Sequence, residues 1–162
     1  MKLTNLQELY VEELRDLFDF ENQIVKALPK MEDAASSPKL KKGFHEHLIQ
    51  TEKHVSRLLK IFEEMNLQPE GKHCVGMAGI IAEGSELIKS KSDPEVLDAG
   101  LISAAQHVEH YEIAGYGTCI AYADLLGENS AASLLQETLE EEIETDKKLT
   151  GLAKKEINVA AK

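Results

Sequence analysis

The sequence contains no tryptophan, and aromatic residues make up only 5% of its 162 residues. Its core must therefore be built from aliphatic side chains and alanine, which suits helices packed side by side. Cysteine is as scarce: Cys74 and Cys119 are the only two, too few for a disulfide framework. Positive charge is also in short supply, with 18 basic residues against 29 acidic ones and a net charge of −11. That balance excludes nucleic acid as a main partner, because phosphate binding needs clustered Lys and Arg, and it disfavours anionic membrane surfaces. No apolar run approaches the ~18 residues of a membrane span. The opening Met1-Lys2-Leu3-Thr4-Asn5-Leu6 lacks the apolar stretch of a secretory signal, so a cytoplasmic location is expected.

What the chain does have is helical period almost throughout, with no strand pattern. Length and an apolar content of 43% fit one soluble domain, residues 1–162. Thr4 and Asn5 offer N-cap chemistry for a first long helix reaching about Ala35, with Pro29 as the place where it kinks or ends. Its inward stripe reads Leu6, Tyr10, Leu14, Leu17, Glu21, Ile24, Leu28. Ser36-Ser37-Pro38 opens a second helix that ends near Asn66. A Gly- and Pro-containing stretch follows, with room for a short helix around Ala78 to Lys89. Ser92-Asp93-Pro94-Glu95 opens a third long helix to about Leu126, before Gly127. Ser130 or a neighbour opens the fourth, which continues past Leu152 and frays from Ile157 to Lys162.

Connection lengths give the topology. The first and second long helices are joined by a few residues, as are the third and fourth, so each pair is expected to be an antiparallel hairpin. A helix of about 30 residues is about 45 Å long. The linker between the hairpins has roughly 27 residues at up to ~3.3 Å each, enough to cross the whole bundle. The expected fold class is all-α: a ferritin-like four-helix bundle whose long crossover between helices 2 and 3 carries a short extra helix.

Acidic residues interrupt the apolar stripes. Glu21 sits between Leu17 and Ile24. Glu52 lies between Leu48, Val55 and Leu59. Glu112 is spaced from Ala105, Val108, Tyr116 and Cys119. Glu142 and Asp146 interrupt Leu135, Leu139, Leu149 and Ala153. Glu21 and Glu52 lie 15 and 16 residues from Ser36, and Glu112 and Glu142 each lie 15 residues from Gly127, so each hairpin brings its pair to one level. A buried unpaired carboxylate is costly or takes up a proton. Several converging carboxylates repel unless a cation sits among them, and hard oxygen ligands with some imidazole suit iron or manganese. An acid on any one helix facing solvent is the competing reading.

Further ligands are less determined. His47 and His54 share a stripe with Phe44, Thr51, Leu58 and Ile61, and His54 reads equally as a ligand or as a histidine outside the ligand set. Glu109, three residues before Glu112, is a second ligand or an exposed acid. Tyr116 is a core phenol or a redox-active neighbour. The usual dimetal pattern needs Glu-x-x-His on two helices. Here the corresponding segments read Thr51-x-x-His54 and Glu142-x-x-Thr145.

At these residues the chain resembles the YciE/YciF family of bacterial ferritin-like proteins. The resemblance is carried by Ala27-Leu28-Pro29-Lys30-Met31, Thr51-Glu52-Lys53-His54-Val55, Gly76-Met77-Ala78-Gly79 with Glu83-Gly84, Val108-Glu109-His110-Tyr111-Glu112-Ile113-Ala114 with Tyr116-Gly117-Thr118, and Leu139-Glu140-Glu141-Glu142. It implies a rubrerythrin-like dimetal domain, a homodimer, and an association with bacterial stress. The chain has no Cys-x-x-Cys pair, so a rubredoxin-type iron centre is absent and any reducing electrons come from an external donor. The leading expectation is a metal-binding protein with Glu21, Glu52, Glu112 and Glu142 as principal ligands and His54, Asp146 and Glu109 as further candidates, acting on oxygen or peroxide. The alternative is a non-enzymatic stress or interaction module that keeps the fold without turnover.

Overall fold

A computed structural model describes residues 3–162. Four long helices carry it: α1 (Leu6–Ala34), α2 (Pro38–Glu64), α4 (Pro94–Leu126) and α5 (Asn129–Leu152), with a shorter α3 (Val75–Ile88) in the crossover. Among the described residues there is no strand, and no helix is long and apolar enough to cross a membrane. The all-α bundle with one long, helix-bearing crossover is the arrangement the connection lengths predict.

The punctuation works as its chemistry dictates. The Asn5 side chain accepts the Glu8 backbone N–H at 2.9 Å, capping α1. Proline occupies the first position of α2 and of α4, where a missing N–H costs nothing. Gly127 closes α4 in the left-handed region at φ 76°, a conformation glycine adopts without the usual Cβ penalty. Pro29 neither ends nor caps α1, which runs on to Ala34.

Side-chain pairings fix the packing. His54 and Arg57 of α2 meet Glu141 of α5, while Lys39, earlier in α2, meets Glu156, later in the chain, so α2 and α5 run antiparallel. Tyr116 of α4 meets Glu21 of α1, and Asp98 meets Ser36, so α1 and α4 do too. Each long helix thus has two antiparallel neighbours, and the parallel pairs α1/α5 and α2/α4 lie on the diagonals. Asp98, 2% exposed, fastens the two hairpins at one end. Its carboxylate accepts the backbone N–H of Ser36 (2.7 Å), the Ser36 hydroxyl (2.7 Å) and the backbone N–H of Ser37 (2.8 Å).

Helix α3 lies across α1 and α4. It lies so close that a Cβ on Gly76 would overlap the Tyr111 ring. The core is aliphatic, as the composition requires, with Leu14, Leu17, Ile24, Leu40, Leu58, Ile61 and Leu101 at 1% exposure or less. The C-terminal segment departs from expectation. It does not fray at Ile157. A π-helical turn, Ala153–Ile157, continues α5 into a last helical turn, Asn158–Ala160. Ala153 and Ile157 are buried, and their apolar contacts hold the segment down.

Candidate metal centre

Halfway along the bundle the core changes character. Glu21, His54, Glu112 and Glu142 are wholly buried, Glu109 is 1% exposed and His47 is 4% exposed. Each helix delivers its donors by the period that delivers its leucines. Glu21 follows Leu14 and Leu17 on α1. His47, Thr51 and His54 share one face of α2 with Phe44, Leu58 and Ile61. Glu109 and Glu112, one turn apart on α4, both point inward. Glu142 follows Leu135 and Thr138 on α5.

The six donors fall into two groups sharing Glu112. One is His47, Glu109, Glu112 and Glu142, and the other is Glu21, His54 and Glu112. Within each group one donor atom per residue lies within 4.8 Å of all the others. His47 Nε2 is 3.4 Å from Glu109 Oε1 and 4.0 Å from Glu142 Oε2. His54 Nδ1 is 3.6 Å from Glu21 Oε2 and 3.0 Å from Glu142 Oε1. Metal–ligand bonds of about 2 Å put neighbouring donors of one ion roughly 3–4 Å apart, and the histidine–carboxylate distances fall in that range. Glu142 therefore also faces both groups, one oxygen toward each histidine.

The donor atoms lack other partners. Buried and without a hydrogen bond are Glu21 Oε2, both nitrogens of His47, His54 Nδ1, Glu109 Oε2, both oxygens of Glu112 and both of Glu142. Orphaned buried polar atoms are rare in folded proteins and point to an unfilled role. Charge agrees: four carboxylates carry the charge that two divalent cations neutralise. A buried cluster of this composition is able to hold metal.

Without metal, protons stand in for the cations. Burial lifts Glu109 and Glu112 well above the usual carboxylate range, and neighbouring Glu142 lifts both further. Burial raises Glu21 as well. Burial also works against an ionised Glu142, but the adjacent His54, Glu109 and His47 outweigh it and hold that carboxyl at about 2. Burial disfavours a charged His54, yet Glu21 and Glu142 raise it to about 10. Burial lowers His47, which leaves a neutral imidazole with a free lone pair.

The two ends of the cluster are held differently. At the His54 end every donor is braced. The Tyr116 hydroxyl donates to Glu21 Oε1, and Glu141 Oε2 lies 2.8 Å from His54 Nε2. Arg57 grips Glu141 with two hydrogen bonds, at 2.7 and 3.1 Å. A histidine whose outer nitrogen donates to a carboxylate presents its other nitrogen in a fixed tautomer and direction. At the other end His47 has no such brace, and His47 and Glu109 line both of the cavities that reach the cluster.

The expected ligands are thus placed unevenly. Glu21, His54, Glu109, Glu112 and Glu142 are brought together. Glu52 is not: it lies on the exposed face of α2. The stripe of Leu48, Val55 and Leu59 that included it is the helix flank, and Leu59 is itself 45% exposed. Asp146 is only part-buried and turns aside, where its Oδ1 accepts from Gln106 at 2.9 Å and lies 3.3 Å from His110 Nε2. His47 takes its place in the cluster, and its signal was the His47-Thr51-His54 spacing along a buried stripe.

The two threonines explain the missing Glu-x-x-His. Thr51 Oγ1 donates to the His47 carbonyl at 2.9 Å, and Thr145 Oγ1 to the Glu141 carbonyl at 3.0 Å, so each hydroxyl is satisfied within its own helix. The dimetal pattern of ferritin-like bundles has four carboxylates and two imidazoles. The same total appears here, with both imidazoles on α2 and two carboxylates on α4.

The family described as "Domain of unknown function (DUF892)" matches residues 5–162. Protein YciF of Escherichia coli K12 is 44% identical over 162 residues, covering 99% of this chain and 98% of that protein. The crystal structure of the E. coli stress protein YciF superposes with a TM-score of 0.93 over 96% of this chain and 99% of its own. YcfI of Rhodopseudomonas palustris, 39% identical, gives 0.89 over 92% and 95%. A Xanthomonas campestris protein at 19% identity shares the fold, with a TM-score of 0.75 over 93% and 92%.

Proposed function

The chain belongs to the family described as "Domain of unknown function (DUF892)", and we propose its function from the centre itself. The protein is a dimetal carboxylate protein of the ferritin-like kind, binding two iron or manganese ions and acting on dioxygen or hydrogen peroxide under stress. The observation that carries this reading is the pair of buried donor groups sharing Glu112, with nine donor atoms that have no partner. The stress context follows the similar E. coli stress protein YciF.

When bound, the metals supply one-electron redox chemistry and a place for the oxidant. The chain's residues do the rest. Glu21 and His54, steadied by Tyr116 and the Glu141–Arg57 pair, would hold one ion. Glu112 and Glu142, which face both donor groups, would be available to both ions. His47 and Glu109, braced by nothing behind them, would hold the second where cavities reach the cluster. The surrounding aliphatic core excludes bulk water. With no Cys-x-x-Cys pair in the chain, reducing electrons come from a separate donor. The chain functions as a homodimer of twice the 18.0 kDa chain mass, a size incompatible with a hollow storage shell.

Metal analysis of the purified protein, followed by absorption spectra after ferrous iron and then peroxide, tests the proposal. Two ions per chain, lost in Glu112→Ala, are expected. A folded protein that takes up no iron or manganese on titration overturns the proposal, and leaves a non-enzymatic module on the same fold.

A further inference from the structure

Two cavities reach the cluster, and both do so at His47 and Glu109. They differ in chemistry. The first runs beneath α3, between that helix and α1 and α4. It is lined mainly by aliphatic side chains, among them Ile24, Met31, Ile80, Ile81, Ala104 and Val108, and holds a volume of about 40 Å³. The second opens between α2, α4 and α5, is larger at about 270 Å³, and carries Lys39, Lys42, Glu46, Gln50 and Lys148.

A buried water needs roughly 10–15 Å³ and two to four polar partners, whereas apolar cavities stay dry and take up apolar gases. The cavity beneath α3 has the volume for a diatomic molecule, and away from Lys30, Ser85 and the His47/Glu109 end its walls are aliphatic and offer no partners for water. Its inner end is marked by Glu109 Oε2 and both His47 nitrogens, buried and without hydrogen bonds. Braced donors at the opposite end of the cluster line neither cavity.

We propose that the cavity beneath α3 is a dioxygen site and passage, delivering the gas to the His47/Glu109 position, while polar solutes such as hydrogen peroxide use the lysine-bearing groove. The proposal rests on the dimetal reading and adds substrate class, route and side of attack to it. The accompanying reaction balances with two ferrous ions each losing one electron, and dioxygen taking both electrons with two protons to leave as hydrogen peroxide. Helix α3 is then the roof of the passage, which gives the crossover helix a role beyond spanning the bundle.

Xenon is the probe, applied to metal-free full-length protein and read from methyl resonances in NMR. Saturating xenon is expected to shift the methyls of Ile24, Ile81 and Val108, and to leave those of Leu14 and Leu58 in place. In Ala27→Phe and, independently, in Ile81→Trp, both of which narrow the passage, the shifts of the Ile24 and Val108 methyls are lost. Metal stoichiometry stays at the wild-type value, and the ratio of the dioxygen rate to the peroxide rate for ferrous oxidation falls at least tenfold. Absence of xenon shifts in the wild type overturns the passage, as does an unchanged rate ratio in folded variants. Metal uptake without a xenon signal defeats this passage alone. A protein that takes up no metal defeats the dimetal reading and the passage with it.

Discussion

Glu112→Leu separates stability from metal binding at a single residue. Glu112 is wholly buried, both its oxygens lack hydrogen bonds, and Glu142, Glu21 and Glu109 all press on it. Without metal it is a liability. A buried polar group left without a hydrogen bond costs about 1–3 kcal/mol, which an apolar side chain of similar size avoids. At about 2 kcal/mol and roughly 2–4 °C per kcal/mol for a chain of this length, metal-free Glu112→Leu should melt about 4–8 °C above metal-free wild type. Metal reverses the order. An ion present at 100 times its dissociation constant stabilises by about 2.7 kcal/mol per site. Two sites therefore lift the wild type by about 5 kcal/mol, or roughly 10–20 °C. The variant, lacking the shared ligand, should gain almost nothing. The assay is thermal unfolding by circular dichroism in chelator and in excess manganese. A metal-free variant that melts below the metal-free wild type refutes the claim that this carboxylate is held at a cost. A variant that gains as much from manganese as the wild type refutes its place between the two ions.

Other perturbations test other parts. Glu52→Ala should leave metal stoichiometry unchanged and stability within about 0.5 kcal/mol, as for an ordinary surface substitution; Glu142→Ala, measured beside it, should lose metal. Glu141→Ala and Arg57→Ala should each weaken metal binding about 10- to 100-fold by freeing His54, as read by competition with a chelator. Asp98→Ala strands two backbone N–H groups and a hydroxyl at the α1–α2 turn. It should cost about 3 kcal/mol, a fall of roughly 6–12 °C in melting temperature. Gly76→Ala forces α3 away from Tyr111 and should destabilise by about 1–3 kcal/mol in a urea titration.

The long helices were legible because period, proline and glycine agreed at almost every boundary. The topology was legible because only one linker was long enough to cross the bundle. Glu21 and Glu112 stood out because apolar residues one turn away on either side are buried with them, and Glu142 because Leu135 and Leu149, two turns away, are buried on its face. On α2 the same logic slipped. Leu48 and Val55 are half-buried and Leu59 is exposed, so a stripe one residue off the true face still looked apolar and drew in Glu52. The true face carries His47, Thr51 and His54, polar residues that do not advertise burial. Asp146, one turn beyond Glu142, illustrates a related limit: the spacing puts it on the right side of α5, yet the nearby Gln106 amide draws it out of the cluster. Ile157 is held by packing near the α1–α2 turn, which short-range pattern does not reveal.

The division of donors between the two hairpins has a consequence for how the chain comes together. Glu21, His47 and His54 belong to the amino-terminal half, and Glu109, Glu112 and Glu142 to the carboxy-terminal half, so each donor group draws on both. Neither half alone assembles either donor group, so an ion bound there would cross-link them. Split between Pro69 and Lys72, the polypeptide is expected to give a fragment pair that manganese drives together and chelation releases, as read by gel filtration.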